Sequence, residues 1–335
     1  MGLADHHRKG RALSTLMLAA VTAALCLTTH DAADSQTYPQ KPIRILVAAG
    51  PGGPTDVPAR LAAQILPDKL GQPVVIEHRP GAGGAIGARA VVTSPPDGYT
   101  LLAGNTSVLA VGPAVSASAG YDPTTAFAPI VKVSESYQIL VVHPSSPWKT
   151  VQDLVAHAKA NPGKVDYAHT GNGGLPHLTG ELFQWRAGVK LVGVPYRSGA
   201  EAVTAVLSES VHATFESITI LLPLIREGKV RALAITSGAR TPLAPDLPTM
   251  KEAGVSDYEV TTFNGIVAPA GTPAPIVQAL NAAMNEGLKT ADVQAQIARI
   301  GAVSQPNSPE EFATFIAGQF GKWTEVGKAA GVKLD

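Results

Sequence analysis

From Tyr38 onward, short apolar segments alternate with longer segments whose apolar residues recur at helical spacing. The run "IRILVAA" (43–49) is almost entirely apolar, which is typical of a strand buried on both faces of a parallel sheet. After it, Val57, Leu61 and Ile65 recur every four residues and predict one apolar stripe on a helix. Repetition of this strand–helix unit predicts an α/β fold.

The last part of the chain is mostly helical. Predicted helices cover 273–288, 290–300 and 309–330, and only the short segment "AVS" has strand character. Such a tail cannot form its own sheet, so it is expected to cover the sheet built by the first part of the chain.

Three helix ends can be predicted from local signals. Thr150 and Asp153 have the spacing of a capping box, and so do Ser308 and Glu311 at the start of the last helix, where Pro309 suits the first turn. Gly188 is expected to end the helix over 178–188 as its C-cap.

A helical tail that covers the first sheet makes the chain cross twice between two lobes, near 137–143 and near 258–267. Two lobes joined by two crossing strands form a hinge with a cleft between them. The predicted domains are 38–138 plus 262–335 for lobe 1 and 139–261 for lobe 2.

The N-terminus has the pattern of an export signal. The basic segment "HHRKGR" precedes the apolar run 12–29, and a polar stretch follows it, which predicts a signal peptide over 1–33. An uncleaved membrane anchor is the alternative, but Ser14, Thr15 and Thr22 interrupt the run. We expect a periplasmic, exported mature chain that is not embedded in the membrane and lacks the lone cysteine, Cys26.

Charge excludes one broad class of partner. The chain has 26 basic and 26 acidic residues, so its formal net charge is zero. A protein that binds nucleic acid needs a basic stripe to neutralise phosphates, and none is present beyond the first residues. The composition therefore favours a small-molecule ligand and no nucleic acid.

Glycine-rich segments raise the question of a nucleotide cofactor. No Gly-Lys pair is followed by Ser or Thr, which excludes a P-loop. The segment "PGAGGAIG" misses the dinucleotide spacing by one residue and has no suitably placed acidic residue after it. Its glycines are interpreted as residues that permit a tight turn, and no cofactor is expected.

Catalytic and metal-binding motifs are also absent from the sequence. There is no G-x-S-x-G and no H-E-x-x-H. His169 and His177 flank one glycine loop, and zinc would need a third ligand such as Glu216 or Glu181. The favoured interpretation is that His177 packs and hydrogen-bonds in the first turn of a helix.

Polar, glycine-containing loops recur where a strand ends and a helix begins, at 50–56, 105–107, 170–174 and 196–199. Ligands of open α/β sheets bind at the carboxyl ends of strands, where helix N-termini offer free N–H donors. Several such loops around one cleft predict a site for a carboxylate-sized anion.

Many segments in register resemble one family. They include "VAAGPGGPTDVPAR", "HRPGAGGAIGARAV", "YAHTGNGGLPHLTGELF" and "GVPYRSGAEAV", and the resemblance covers nearly all of residues 38–335. The chain resembles the Bug-type substrate-binding proteins of tripartite tricarboxylate transporters. The resemblance implies a periplasmic-binding-protein-like α/β fold (type II), a small carboxylate as ligand and integral-membrane permease subunits as partners. It also implies a monomer that is not an enzyme.

The resemblance also implies a set of ligand-binding residues on the loops of both lobes and on the hinge side of the cleft. They are Ala49, Gly50, Gly52, Gly53, Pro54, Asp56, Asn105, Thr106, Ser107, His169, Thr170, Gly171, Asn172, Gly173, Tyr196, Arg197, Ser198, Glu216, Phe263 and Asn264. Four positions depart from the family pattern, which mostly has a bulky aromatic residue at 49, Ser at 54, a small residue at 169 and Asp at 216.

Three side chains leave the nature of the acid open. Arg197 could hold a second carboxylate, Glu216 could accept from an ammonium or hydroxyl group, and His169 could donate to a carboxylate. Two other functions also stay open at this point. One is an exported hydrolase or isomerase that uses His169 and Glu216, and the other is a sensor that presents its ligand to a membrane kinase.

Overall fold

The computed structural model describes residues 38–51 and 55–332. The predicted signal peptide, 1–33, lies outside this part of the chain. The ten strands are β1 (Ile43–Val47), β2 (Val74–His78), β3 (Thr100–Asn105), β4 (Phe127–Val142), β5 (Asp166–His169), β6 (Val192–Pro195), β7 (Ala213–Ser217), β8 (Arg231–Ile235), β9 (Thr261–Pro269) and β10 (Ala302–Val303). The helices are α1 (Asp56–Leu70), α2 (Ala85–Val92), α3 (Gly112–Val115), α4 (Val151–Ala160), α5 (Leu175–Ala187), α6 (Gly199–Leu207), α7 (Ile218–Arg226), α8 (Ala274–Leu288), α9 (Ala291–Arg299) and α10 (Pro309–Ala330).

The first part of the sheet has the order β2-β1-β3-β9-β4. Strand β1 lies parallel to both β2 and β3, and β9 runs antiparallel between β3 and β4. Ile43, Ile45 and Val47 are fully buried, as expected for a central strand covered on both faces. The predicted α/β fold is confirmed here.

The second part of the sheet has the order β4-β7-β5-β6, and β8 pairs with the other edge of β4. Strands β5, β6 and β7 are mutually parallel, whereas β7 and β8 run antiparallel to β4. Helices α5 and α6 follow β5 and β6, so this half also consists of strand–helix units.

Strand β4 belongs to both halves. Its residues up to Tyr137 pair with β9, and its residues from Gln138 onward pair with β7 and β8. The chain returns at Val260, whose backbone N–H donates to Thr236 O just before β9 begins. The molecule thus consists of two α/β lobes joined by two crossing segments. The lobe boundaries given above stay a prediction.

Thr236 links the two crossing segments by its side chain. Its hydroxyl is fully buried, donates to Val260 O at 2.8 Å and accepts from Gln138 N–H at 3.0 Å. Its own N–H donates to Gln138 O at 2.9 Å. One threonine therefore holds both strands together where they leave the second lobe.

The predicted helix ends are confirmed where the chemistry is local. Thr150 and Asp153 form a capping box at the start of α4, and Ser308 and Glu311 form another at α10. Gly188 ends α5 in the left-handed conformation. The helical tail packs on the first lobe, since α8 and α10 contact β4 and α8 contacts α1.

The prediction for β4 was too short, because only 137–143 was assigned as strand. The strand begins ten residues earlier, at Phe127. Lys132, Ser134 and Glu135 interrupt the apolar pattern there, and the pairing with β9 shifts register twice, between Pro129 and Val131 and between Lys132 and Ser134. Such bulges break the two-residue period that identifies a strand.

No helix within the described part of the chain is long and apolar enough to cross a bilayer.

Candidate functional site

The two connecting segments leave the second lobe side by side at Gln138 and Val260, and we call this place the crossing. The carboxyl ends of the parallel strands of both lobes point towards it. Asn105, the last residue of β3, pairs with Asn264, which pairs in turn with Ser134 of β4. From the other side, Ser217, the last residue of β7, pairs with Gln138. Ser134 and Gln138 are four positions apart on β4, which is about 13 Å of extended chain. The loops after these strands therefore face each other across a gap suited to a small molecule.

On the first lobe, Asn105 organises the loops beside it. Its Nδ2 donates to Thr55 Oγ1 at 2.8 Å, and its Oδ1 accepts from Val108 N at 3.1 Å. The side chain thus ties the start of α1 to the turn after β3. Ser107 begins that turn and is partly exposed, as is Ala49 after β1, whereas Gly50 is exposed. Gly52, Gly53 and Pro54 lie outside the described residues.

Two of the predicted site residues on this lobe, Asp56 and Thr106, serve the fold with their side chains. The Asp56 carboxylate is buried and is bound by Arg60 Nε and His78 Nε2, each at 2.7 Å. The Thr106 hydroxyl accepts from Phe263 N at 2.7 Å and donates to Phe263 O at 3.3 Å. These contacts leave little of either side chain for a ligand.

The expectation that Phe263 lines the hinge side of the cleft needs correction. Its ring is fully buried and meets Phe315 edge-on, with centroids 5.0 Å apart. Its backbone N–H is already paired with Thr106. Phe263 is a core residue, and we leave it out of the proposed site. Its neighbour Asn264 is buried but has an Oδ1 atom without a hydrogen-bond partner.

On the second lobe, two histidines hold the glycine loop between β5 and α5. His169 Nδ1 donates to Gly171 O at 3.1 Å, and Gly173 N donates to His177 Nδ1 at 3.0 Å. The two rings pack against each other at a tilt of 38°, with centroids 4.5 Å apart. The predicted role of His177 as a packing and hydrogen-bonding residue is confirmed.

The surroundings of both imidazoles favour the neutral form by lowering each pKa. Burial lowers the pKa of His169 below its usual value, and the neighbouring His177 lowers that pKa further. Burial likewise lowers the pKa of His177. A neutral His169 whose Nδ1–H donates to Gly171 has only a lone pair at Nε2. The expectation that His169 donates to a ligand carboxylate is therefore corrected for neutral pH.

The loop between β6 and α6 uses its side chains to begin the helix. Ser198 Oγ accepts from Glu201 N at 3.2 Å, and Glu201 Oε2 accepts from Arg197 N at 3.1 Å. Tyr196 N donates to His169 O at 2.8 Å, so this loop is fixed to the end of β5. The Arg197 guanidinium is exposed and has no ion-pair partner within the described residues.

Glu216 is the last of the predicted site residues on the second lobe. Its side chain is buried, and Oε1 accepts from Ser217 N at 2.7 Å. A side-chain carbon added at Gly199, the first residue of α6, would lie 2.3 Å from Glu216 Oε2, so only glycine permits this approach. Burial raises the pKa of the Glu216 carboxyl, and the bond from Ser217 offsets part of that rise.

A cavity of about 510 Å³ joins loops of the two lobes. Its wall contains Gly83 and Ser107 on one side and Asn172, Gly173 and Gly174 on the other. The structure thus brings together Ser107, Asn172 and Gly173 of the predicted set. Thr170 and Gly171 directly precede Asn172 in the loop between β5 and α5.

The segment "PGAGGAIG" forms the tight turn expected of it. Gly83 and Gly84 have positive φ angles of 63° and 97°. A side-chain carbon at Gly84 would lie 2.4 Å from Val108 and 2.9 Å from Ala48 O, so the turn packs directly on the end of β1. Sequence reasoning left this segment out of the site, yet Gly83 lines the cavity.

One further residue was missed. Gln138 lies at the crossing, is 5% exposed, and has a buried Oε1 atom without a hydrogen-bond partner. The signal in the sequence was a glutamine directly before the apolar run "ILVV" of a central strand. The zinc hypothesis gains no support, since the described residues contain no group of three metal-binding side chains.

Two α/β lobes, two crossing segments and a crevice lined from both sides define a periplasmic-binding-protein fold. Residues 58–332 match the model of one family, described as the tripartite tricarboxylate transporter family receptor. The chain belongs to this family of solute-binding receptors, which confirms the resemblance found in the sequence.

Relatives support the same assignment over almost the whole chain. Protein BugT of Bordetella pertussis is 38% identical over 301 residues, which cover 90% of this chain and 92% of BugT. A Rhodopseudomonas palustris protein solved with adipate is 33% identical, with a TM-score of 0.72 over 88% of this chain and 99% of that one. MatC from the same organism, solved with bound malate, is 32% identical, with a TM-score of 0.69 over 86% and 99%.

Proposed function

We propose that this protein is an extracytoplasmic receptor that captures a small organic carboxylate by lobe closure and delivers it to the permease of a tripartite tricarboxylate-type transporter. The observation that carries the proposal is that loops from both lobes line one cavity, while the ends of β3 and β7 meet β9 and β4 where the two lobes join. Relatives solved with adipate and with malate support a carboxylate as the ligand.

The proposed binding surface consists of loop backbone and a few polar side chains. Its members are Ala49, Gly50, Gly52, Gly53, Pro54, Asn105, Ser107, Thr170, Gly171, Asn172, Gly173, Tyr196, Arg197, Ser198, Glu216 and Asn264, to which we add Gly83 and Gln138. Loop N–H groups and helix N-termini can hold an acid without any net charge on the protein. Contact with both lobes at once then favours the closed state.

The same geometry favours binding over catalysis. The pairing of β5 with β7 places His169 on the sheet face that carries α5 and Glu216 on the face that carries α6. His169 bonds to Gly171 and Glu216 to Ser217, so the two side chains do not form the hydrogen-bonded pair that the hydrolase or isomerase hypothesis needs. No contact among the described residues favours the sensor hypothesis over transport.

We propose a periplasmic location, a monomeric state and permease subunits as partners. The family match supports the partners, and the predicted signal peptide supports export.

Calorimetric titration with a panel of small acids tests this function. The panel includes malate, adipate, succinate, glutarate, aspartate and glutamate. We expect at least one acid to bind with one site per chain and to be recovered chemically unchanged. Conversion of an acid at many turnovers per protein would show an enzyme instead. Absence of binding by any acid in the panel would contradict the proposed function.

A further inference from the structure

Glu216 is the least satisfied charged group at the crossing. It lies at the carboxyl end of β7, its side chain is only 7% exposed, and Ser217 N is the sole donor to its carboxylate within the described residues. The other oxygen, Oε2, is buried and has no hydrogen-bond partner. No described Lys, Arg or His forms an ion pair with it.

A carboxylate differs from the other polar groups there in one respect. A buried amide can reverse its oxygen and nitrogen to find a partner, but an ionised carboxylate only accepts. A buried acceptor without a donor costs free energy, so the lobe is organised for a donor that the chain itself does not supply. Gln138 and Asn264 add two more buried oxygens without donors on either side of the crossing.

The surroundings also argue against a second ligand carboxylate at this point. Glu216 already lies against Gly199, at the N-terminus of α6, where a ligand anion would otherwise be favoured. A second negative charge placed there would meet the charge of Glu216 in a poorly solvated space. The exposed guanidinium of Arg197, two residues before Gly199, is free to attract the acid end of a ligand.

We propose that Glu216 selects the ligand: the receptor prefers a small acid that carries an ammonium group, such as an amino acid, over a plain dicarboxylate of the same length. This inference rests on the proposed function, because it assigns a substrate class to the same cleft. The ammonium donates to Glu216 Oε2 and neutralises its charge on lobe closure, while the ligand carboxylate is held by loop amides and Arg197.

Matched acids test the preference in the wild-type protein. Calorimetric titration compares succinate with aspartate and asparagine, and glutarate with glutamate and glutamine. In at least one set, we expect an amino acid to bind at least ~10-fold more tightly than the dicarboxylate, equivalent to about 1.4 kcal/mol. Equal or tighter binding of the dicarboxylates would overturn the inference and leave the proposed function intact. Absence of binding by every acid would overturn both.

Glu216→Gln assigns the effect to this carboxylate. We expect the variant to bind the preferred amino acid at least ~10-fold more weakly and the matched dicarboxylate within about 3-fold of wild type or more tightly. The control Glu209→Gln removes an exposed carboxylate from the same lobe and should keep the preference. Retention of the preference in Glu216→Gln would overturn the inference.

A second measurement does not depend on the variant's folding. Titration of the wild type in buffers of different ionisation enthalpy counts protons exchanged on binding. An ammonium beside Glu216 lowers the pKa of the carboxyl, so amino-acid binding should release protons at pH values low enough to protonate part of the free carboxyl. Uptake of protons on amino-acid binding would overturn the inference, because it would mean that the ligand stabilises the protonated carboxyl.

Discussion

Thr236→Val is expected to lower the free energy of unfolding by about 3 kcal/mol, because it leaves a buried N–H and a buried C=O without partners. Valine has nearly the shape of threonine but lacks the hydroxyl, which bonds to Gln138 N and Val260 O. These two atoms belong to the two segments that connect the lobes, so the substitution loosens the crossing itself. Urea unfolding followed by circular dichroism measures the change.

Thr179→Val is the matched control. Thr179 is also fully buried, but its hydroxyl donates only to Leu175 O, the carbonyl one turn earlier in α5. That carbonyl has its own partner in the helix, so we expect a change below about 1 kcal/mol. Equal losses for the two variants would show that Thr236 has no special part in joining the crossing segments.

Acidification that takes the pH from above 6.5 down through the lowered pKa values of His169 and His177 is expected to weaken ligand binding. In the fold, His169 and His177 are neutral with lowered pKa values, whereas in the unfolded chain they titrate near 6.5. The stability that they contribute is therefore complete above 6.5 and is lost as the pH falls through their lowered pKa values. Protonation of His177 removes the acceptor for Gly173 N and places two cations with ring centroids 4.5 Å apart.

The groups around His169 and His177 do not fully offset the two positive charges that protonation would create. Glu181 Oε1 lies 3.7 Å from His177 Nε2 and also accepts from Tyr167 and Gln184. The Tyr167 ring packs against His169, and burial raises the pKa of its hydroxyl, which therefore stays neutral. A side-chain carbon added at Gly193 would lie 3.1 Å from His169 Nε2, so β6 passes close to this nitrogen.

His177→Gln isolates this effect, since a glutamine side chain can offer Gly173 an acceptor oxygen that does not titrate. We expect a flatter dependence of ligand affinity on pH in this variant than in the wild type. The control His157→Gln changes an exposed histidine on α4 and should keep the wild-type profile. An unchanged profile for His177→Gln would contradict the assignment. Titration with the tightest acid of the panel at several pH values gives the result.

Local signals in the sequence predicted much of the fold. The capping boxes of α4 and α10 and the glycine end of α5 were placed correctly, because the residues that make each contact are within a few positions of one another. The first ten residues of β4 were missed, because that strand depends on pairing with β9, which lies far along the chain. Pairing of that kind leaves no periodic pattern when bulges interrupt it.

In the candidate site too, features that depend on local sequence could be predicted, and features that depend on distant residues could not. Glycine loops at strand ends could be found from sequence, and residues 172–174 of one such loop line the cavity. The side-chain partners could not be found, because they join distant parts of the chain: Asp56 binds His78, and Thr106 binds the backbone of Phe263, 157 residues away. The sequence alone does not show whether a polar side chain is hydrogen-bonded within the fold or is left to bind a ligand. The structure makes this distinction, because the Thr106 hydroxyl is bonded to Phe263, whereas Glu216 Oε2 has no hydrogen-bond partner.

Small-angle X-ray scattering with and without a saturating acid tests the central claim most directly. Two lobes that hinge at Gln138 and Val260 should approach each other when an acid contacts both. We therefore expect a smaller radius of gyration and a shorter maximum dimension with the tightest acid of the panel, and no change with one that does not bind. Identical scattering curves at full saturation with a bound acid would contradict closure of the two lobes around the ligand.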